Sequence, residues 1–184
     1  PAERCGRPAE RAAMSGLIYA AIRLISRIPL SLGRVLGKVL GRLVLFLPAS
    51  RTKVSLRNIQ NRLGPSLGPD GAKRLNREMI LHFARMVFEV PHILNMHQGN
   101  LHKYVVLENE ENLQKALKKG KGAFILTGHL GNWEFMAAAL SLRFSRLSIV
   151  ARPFDFRPLD RTMRRLRSRF GAEIIPKQKA MRRI

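Results

Sequence analysis

The sequence predicts an α/β fold: a mostly parallel sheet flanked by helices, behind a helical N-terminal region. From Tyr104 onward, short apolar runs alternate with helical patterns, which is the order typical of parallel sheets. Upstream, Leu75, Met79, Phe83 and Val87 recur at helical spacing. A chain of 184 residues with 46% hydrophobic content can also bury a core, and its length suits one domain preceded by a helical N-terminal region.

Three regions follow from this division. Residues 1–13 lack apolar periodicity, and because Met14 is a better biological start we interpret them as a non-native or disordered leader. Residues 14–100 are expected to be helical, and residues 101–184 to form the first part of the α/β domain. Cys5 is the single cysteine of the sequence, so there is no disulfide framework and no cysteine-based zinc site.

Residues 32–46 predict a basic amphipathic helix. Its cations recur every four residues: Arg34, Lys38 and Arg42. Its glycines also recur every four residues: Gly33, Gly37 and Gly41. Large apolar side chains take the opposite side, and residues 11–69 contain no acidic residue. Such a helix lies in the headgroup region of an anionic membrane. Three alternatives remain open: the glycine face packs another helix, the helix belongs to the core with a solvated basic face, or residues 17–30 form an anchor.

The remaining elements follow in order. A helix over residues 71–90 begins at the capping residue Asp70, after a turn at residues 64–69. Strands are predicted at residues 104–107, 122–127 and 147–151, and helices at residues 110–119 and 133–142. His92, His97 and His102 do not share a helical face, so we interpret them as solvated or capping residues and not as metal ligands.

His129 and Glu134 are the candidate catalytic pair, directly after the predicted strand at residues 122–127. Five residues apart on one helix, two side chains point about 140° away from each other, so a turn must separate them. Asn132 can cap the following helix, which puts Glu134 in its first turn. Histidine suits proton transfer near neutral pH, and a carboxylate can orient it, so the pair indicates a general base with its orienting residue. A core histidine beside a solvated glutamate is the alternative.

Several segments together resemble one family. Residues 128–134 are similar to the His-x4-Asp/Glu motif of the lysophospholipid and glycerolipid acyltransferases, in the form used by the bacterial lipid A biosynthesis (late) acyltransferases. Residues 150–160 resemble the family's second block, an Arg-Pro followed by a loop and Asp, which residues 165–171 and 175–177 continue. Residues 51–58 resemble the basic helix that precedes the catalytic domain.

The resemblance, which covers most of residues 17–184, implies an activity. A fatty acyl chain would move from an acyl thioester to a hydroxyl of a lipid A precursor or related glycolipid, with His129 as general base and Glu134 orienting it. Acyl carrier protein is the expected donor and acyl-CoA the alternative, with no metal or bound cofactor. The expected location is the cytoplasmic face of the bacterial inner membrane, peripheral or N-terminally anchored. Because family members continue beyond residues 175–177, we interpret the chain as a C-terminally truncated copy.

Substrate contacts are expected at two places. Backbone N–H groups of Gly131 or Asn132 are candidates to stabilise the oxyanion. Arg152 follows the predicted strand at residues 147–151 and is expected at the same sheet edge as His129, where it suits a phosphate of the acceptor. Arg161 and Arg164 lie on a basic helix face, which is either a docking surface for phosphates or acyl carrier protein, or a solvated face.

The net charge of +22 indicates a polyanionic partner. Nucleic acid is the usual first explanation, but the aromatic residues do not interleave with the basic runs as a base-stacking surface requires. We therefore expect an anionic membrane and a phosphorylated glycolipid acceptor as partners. Acylation of a lysophospholipid remains an alternative, as does an inactive basic fragment that binds a membrane surface or nucleic acid.

Overall fold

The structure, a computed structural model, describes residues 8–46, 50–144 and 147–182. Its α-helices in these ranges are α1 (Pro8–Ile25), α2 (Leu30–Phe46), α3 (Ser50–Glu89), α4 (Glu110–Leu117), α5 (Trp133–Phe144) and α6 (Arg157–Arg167). Its strands there are β1 (Ser148–Ala151) and β2 (Glu173–Pro176). Short 3-10 turns occupy Val90–Asn95, Gln98–Lys103, Ser168–Phe170 and Lys177–Arg182. The chain divides into two units, one spanning Ala20–Leu94 and the other containing the residues before and after it.

The predicted fold class is wrong. The structure is 74% helical, and in the described ranges β1 and β2 form a single two-stranded parallel sheet. Residues 122–127 are not a strand: they have no regular secondary structure, and Phe124 and Leu126 are 86% and 100% exposed. An extended segment needs neighbouring strands to satisfy its backbone groups, and β1 and β2 pair with each other instead. His129 and Arg152 therefore do not share a sheet edge, contrary to the prediction.

Other boundaries differ as well. Residues 104–107 are not a strand, whereas β1 is found where a strand was predicted and β2 was not predicted. Residues 64–67 continue α3 instead of forming a turn, and the break is confined to Gly68, whose φ and ψ of 66° and 174° suit glycine. Pro69 then begins the second half of α3, since proline is tolerated in the first turn of a helix. The leader interpretation concerns residues 1–13, of which 1–7 lie outside the described residues.

In the unit Ala20–Leu94, α2 packs on the second half of α3 through its glycines. Gly33, Gly37 and Gly41 are buried. A Cβ added at Gly37 would lie 2.6 Å from the Arg85 Cα, so only glycine permits this approach. The large apolar residues of α2 are left exposed: Leu32, Val35, Leu36, Val39, Leu43 and Phe46. The glycine face of the predicted amphipathic helix therefore packs against a helix, which was one of the alternatives for it.

His92 joins the ends of this unit. Its side chain is buried, and its two ring nitrogens lie 3.0 Å from the Phe88 carbonyl oxygen and 2.8 Å from the Ile28 carbonyl oxygen. The Ile28 contact links the turn before α2 to the 3-10 turn after α3. His92 Nδ1 thus contacts a carbonyl of the last turn of α3, which agrees with the capping alternative predicted for it, while the Nε2 contact to Ile28 was not predicted.

The other unit has α5, α6 and the sheet at its centre. Phe135, Ala138 and Ala139 of α5 are buried, as are Leu166 of α6 and Ile175 of β2. α1 packs on α6 here: Thr162 Oγ1 donates to the Ser15 carbonyl at 3.3 Å, and the Arg165 guanidinium lies 3.9 Å from the centre of the Tyr19 ring. No helix in the described ranges is long and apolar enough to cross a membrane.

Candidate active site

The candidate site surrounds the first turn of α5. Asn132 caps this helix as predicted: its Oδ1 accepts a hydrogen bond from the Phe135 backbone N–H at 3.2 Å. Gly131 precedes it with a φ of 57°, a left-handed conformation that glycine adopts without strain. The turn separates His129 from Glu134, and the two side chains lie in different environments, exposed and buried respectively.

His129 is exposed in the loop between residues 122–127 and α5. Its imidazole contacts the Trp133 indole edge to face, with ring centres 4.7 Å apart and planes at 66°. Trp133, on the first turn of α5, therefore contacts the ring of an otherwise exposed histidine. Large apolar side chains precede and follow His129 in this loop, and Phe124, Leu126 and Leu130 are each at least 85% exposed.

Glu134 is buried and belongs to an ion pair that the sequence did not indicate. The Arg167 guanidinium donates to it twice, from Nε to Oε2 at 2.9 Å and from Nη2 to Oε1 at 2.5 Å. The side chains of Arg167 and Glu134 are only 14% and 6% exposed. Hydrogen bonding to Glu134 raises the pKa of the Arg167 guanidinium above its usual value, so Arg167 stays charged throughout the working pH range.

Trp133 connects these two environments. Its indole Nε1 donates to Glu134 Oε1 at 3.1 Å, while its ring contacts His129. Between the described side chains of His129 and Glu134 themselves there is no hydrogen bond. The structure thus brings Glu134 to His129 through Trp133, and not directly as the sequence led us to expect.

The three arginines predicted to bind anions, Arg152, Arg161 and Arg164, differ in their ion pairs and in their exposure. Arg152 follows β1 and pairs with Asp155 at 2.9 Å, but both side chains are more than two-thirds exposed, so the pair contributes little and exchanges easily. Arg161 is exposed. Arg164 Nε donates to Asp160 Oδ2 at 2.9 Å, and Asp160 Oδ1 accepts from the Phe154 backbone N–H at 2.9 Å. Arg164 therefore helps to hold the loop that carries Arg152.

The first turn of α5 provides an exposed imidazole and a buried ion pair joined by Trp133, an arrangement suited to proton transfer. No described contact joins Arg152, Arg161 or Arg164 to His129. Among the described residues, no group of histidine, cysteine or carboxylate side chains could hold a metal ion. Arg167 is the member that sequence reasoning missed. A signal for it exists: Arg167 lies four residues after Met163 and next to Leu166, which places a cation at the edge of the apolar stripe of α6.

Comparison with known proteins gives one match. A family model described as bacterial lipid A biosynthesis acyltransferase matches residues 9–184. No curated protein and no solved structure matches the chain.

Proposed function

Because the chain belongs to the bacterial lipid A biosynthesis acyltransferase family, we propose that it moves a fatty acyl chain from the thioester of acyl carrier protein to a hydroxyl of a lipid A precursor, with His129 as general base. Acyl transfer in lipid A biosynthesis follows from the family itself. The donor, the acceptor and the role of His129 are the proposed parts. The observation that supports the role of His129 is its exposed imidazole against Trp133 at the first turn of α5, while the family supports the choice of donor and acceptor.

His129 would accept the proton of the acceptor hydroxyl while that oxygen attacks the thioester carbonyl. The tetrahedral intermediate then collapses, the C–S bond breaks, and the thiolate leaves with a proton returned by the imidazolium. The oxyanion would lie near Gly131 and Asn132, where the positive end of the α5 macrodipole favours negative charge. The exposed apolar residues beside His129 support a substrate that carries an acyl chain.

Glu134 would act on His129 indirectly, through Trp133. Its carboxylate holds the Trp133 indole, and its negative charge lies in the first turn of the helix that follows the histidine. Arg167 holds that carboxylate in position through two charge-assisted hydrogen bonds. We therefore assign Glu134, Trp133 and Arg167 to the positioning of the base, and leave the proton transfer to His129.

The acceptor phosphates would bind the exposed arginines. Arg152 is the first of these, because phosphate can displace its exposed partner Asp155 and accept two parallel hydrogen bonds from the guanidinium. Arg161, on the exposed face of α6, is a second contact for phosphate or for the acidic surface of the carrier protein. Arg164 supports the Arg152 loop through Asp160.

The proposed location is the cytoplasmic face of the bacterial inner membrane. The exposed apolar side chains of α2, together with Lys38 and Arg42 on the same helix, support peripheral association with anionic lipid. A phosphorylated glycolipid acceptor lies in that surface, so binding there would bring the enzyme to its substrate.

The test is acyl transfer by the His129→Ala variant, with acyl-loaded carrier protein and a radiolabelled lipid A precursor as substrates. We expect a decrease in rate of about 10²–10⁴-fold, the contribution of a positioned general base. The matched control is His102→Ala, which removes another exposed histidine of the same unit and should leave the rate unchanged. A His129→Ala rate within about threefold of wild type would exclude the general-base role.

The same assay examines the acceptor. Arg152→Lys keeps the charge and loses the bidentate geometry, so it should raise the KM for the phosphorylated precursor and leave the KM for the carrier protein unchanged. A lysophospholipid accepted as well as the lipid A precursor would contradict the proposed acceptor.

A further inference from the structure

A pocket with a mixed cationic and apolar lining lies within the unit Ala20–Leu94, apart from the residues of the candidate active site. It has a volume of about 400 Å³ and forms where the C-terminal end of α2 meets both halves of the kinked α3. Its cationic lining residues are Arg42, Lys73 and Arg77. Its apolar lining residues are Leu45, Phe46 and Leu56.

The charges of this lining favour an anion. None of the described lining residues is acidic. Lys73 pairs with Asp70 at 3.1 Å, but that aspartate is 96% exposed and the pair is weak. Neither Arg42 nor Arg77 forms a salt bridge within the described ranges. Two guanidinium groups and an ammonium around one pocket suit a group with several acceptor oxygens, and phosphate is the common one.

A buried amide adds a fixed polar group to the lining. Asn76 is 6% exposed, and its Oδ1 accepts a hydrogen bond from Ser55 Oγ at 2.7 Å. This bond joins the two halves of α3 and sets the orientation of the amide, whose N–H₂ group is the donor side. The pocket is therefore lined by one fixed amide and three flexible cations.

The apolar residues decide which phosphate compound fits. Phe46 is 85% exposed and continues the row of exposed apolar side chains that includes Val35, Val39 and Leu43 on α2. A free phosphate ion or a nucleotide has no saturated chain to cover such a row. A lipid in a membrane surface has both parts, a phosphate at the headgroup level and acyl chains beside it.

We propose that this pocket binds the headgroup phosphate of one anionic phospholipid while the exposed apolar row of α2 contacts its acyl chains. The inference rests on the membrane association included in the proposed function, but it does not involve His129. Loss of acyl transfer in His129→Ala would therefore leave it intact, and failure of lipid binding would leave the general-base assignment intact.

The first experiment compares two single variants of the full chain on vesicles of phosphatidylcholine containing phosphatidylglycerol. Arg77→Gln removes a pocket cation, and Arg74→Gln removes an exposed cation three residues earlier on the same helix but outside the lining. One cation near an anionic surface changes affinity about fivefold, which is the expected loss for Arg74→Gln. Arg77→Gln should lose about 30-fold or more, because it also removes charge-assisted hydrogen bonds.

If the two variants lose vesicle affinity equally, only the overall charge of the protein binds the vesicle, and the proposal that the pocket binds a lipid is overturned. Thermal unfolding of both variants confirms that each is folded, which is expected since both side chains are exposed.

The second experiment separates a lipid from a free phosphate compound. Calorimetric titration with dihexanoyl phosphatidylglycerol below its micelle concentration should show binding that Arg77→Gln weakens, whereas glycerophosphoglycerol, the same headgroup without chains, should bind at least about tenfold more weakly. Equal affinity for the two compounds would identify a site for soluble phosphate esters and overturn the lipid assignment. Absence of binding by both would overturn the site.

Discussion

The two ends of α5 each carry an arginine–carboxylate ion pair, and the two pairs lie in opposite environments. At the first turn, Glu134 and Arg167 are nearly buried, with side chains 6% and 14% exposed. At the last turn, Arg143 pairs with Glu110 of α4 at 2.8 Å, and the two side chains are 45% and 28% exposed. Glu134 places a negative charge at the N-terminal end of α5 and Arg143 a positive charge at its C-terminal end, so the helix macrodipole favours both pairs. The two pairs therefore differ in their exposure to solvent.

That difference decides what each pair does. Little water reaches a buried ion pair, so removal of one member leaves the other as a charge that water cannot solvate. An exposed pair is compensated by water, and its loss changes stability only slightly. The first turn of α5 is therefore held rigidly beside His129, while the last turn is attached to α4 by a contact that can be exchanged.

The largest effect is expected for Arg167→Met. This substitution leaves the Glu134 carboxylate buried without its partner, and we expect a loss of about 3–5 kcal/mol in the free energy of unfolding. Chemical denaturation followed by circular dichroism measures it. The control is Arg169→Met, an exposed arginine two residues later. If the two variants are equally stable, the buried pair does not hold the first turn of α5.

A double variant separates structural support from catalysis. Removing both charges, as Glu134→Leu with Arg167→Met, leaves no unpaired charge, so stability should return to within about 1.5 kcal/mol of wild type. If Glu134 positions the base, acyl transfer should nevertheless remain depressed, by about 10²-fold. Recovery of both stability and rate would show that the carboxylate has a structural role alone.

The smallest effect is expected at the exposed end of α5, and it depends on pH. Hydrogen bonding to Arg143 lowers the pKa of Glu110 below its usual value, so the pair contributes stability above the pKa of an unfolded glutamate. That contribution disappears as the pH falls through the lower pKa of the folded state. Melting temperatures of wild type and Glu110→Gln should therefore differ slightly at neutral pH and converge in acid. Glu108→Gln, which removes an exposed neighbouring carboxylate, is the control and should give no such convergence.

Local sequence signals were sufficient for α5 and its surroundings. Asn132 predicted the cap because the capping bond is made within three residues, and the five-residue spacing of His129 and Glu134 predicted the turn before it. The partner of Glu134 was not predictable in this way, since Arg167 is 33 residues away and only the packing of α5 on α6 brings the two together. Motif spacing identified the residues of interest, and tertiary contacts decided their partners.

The sheet was not predictable from apolar runs alone. Residues 122–127 and β1 have similar composition, but β1 has a partner in β2 with Ile149 opposite Ile174, and the earlier segment has none among the described strands. Strand formation depends on a second chain segment at the right distance, which is a property that a single run does not contain. This is why the helices were placed more accurately than the strands.

The glycine face of α2 has a consequence for the order in which this unit folds. Each glycine inside a helix costs about 1 kcal/mol relative to alanine, so three of them make α2 a poor helix in isolation. Its helical form gains stability when the backbone packs against α3, so closely at Gly37 that an added Cβ would lie 2.6 Å from the Arg85 Cα. We therefore expect α2 to become helical only as it docks on the second half of α3. A peptide of residues 30–46 in water would then show little helical circular dichroism, and substantial helix there would contradict this order.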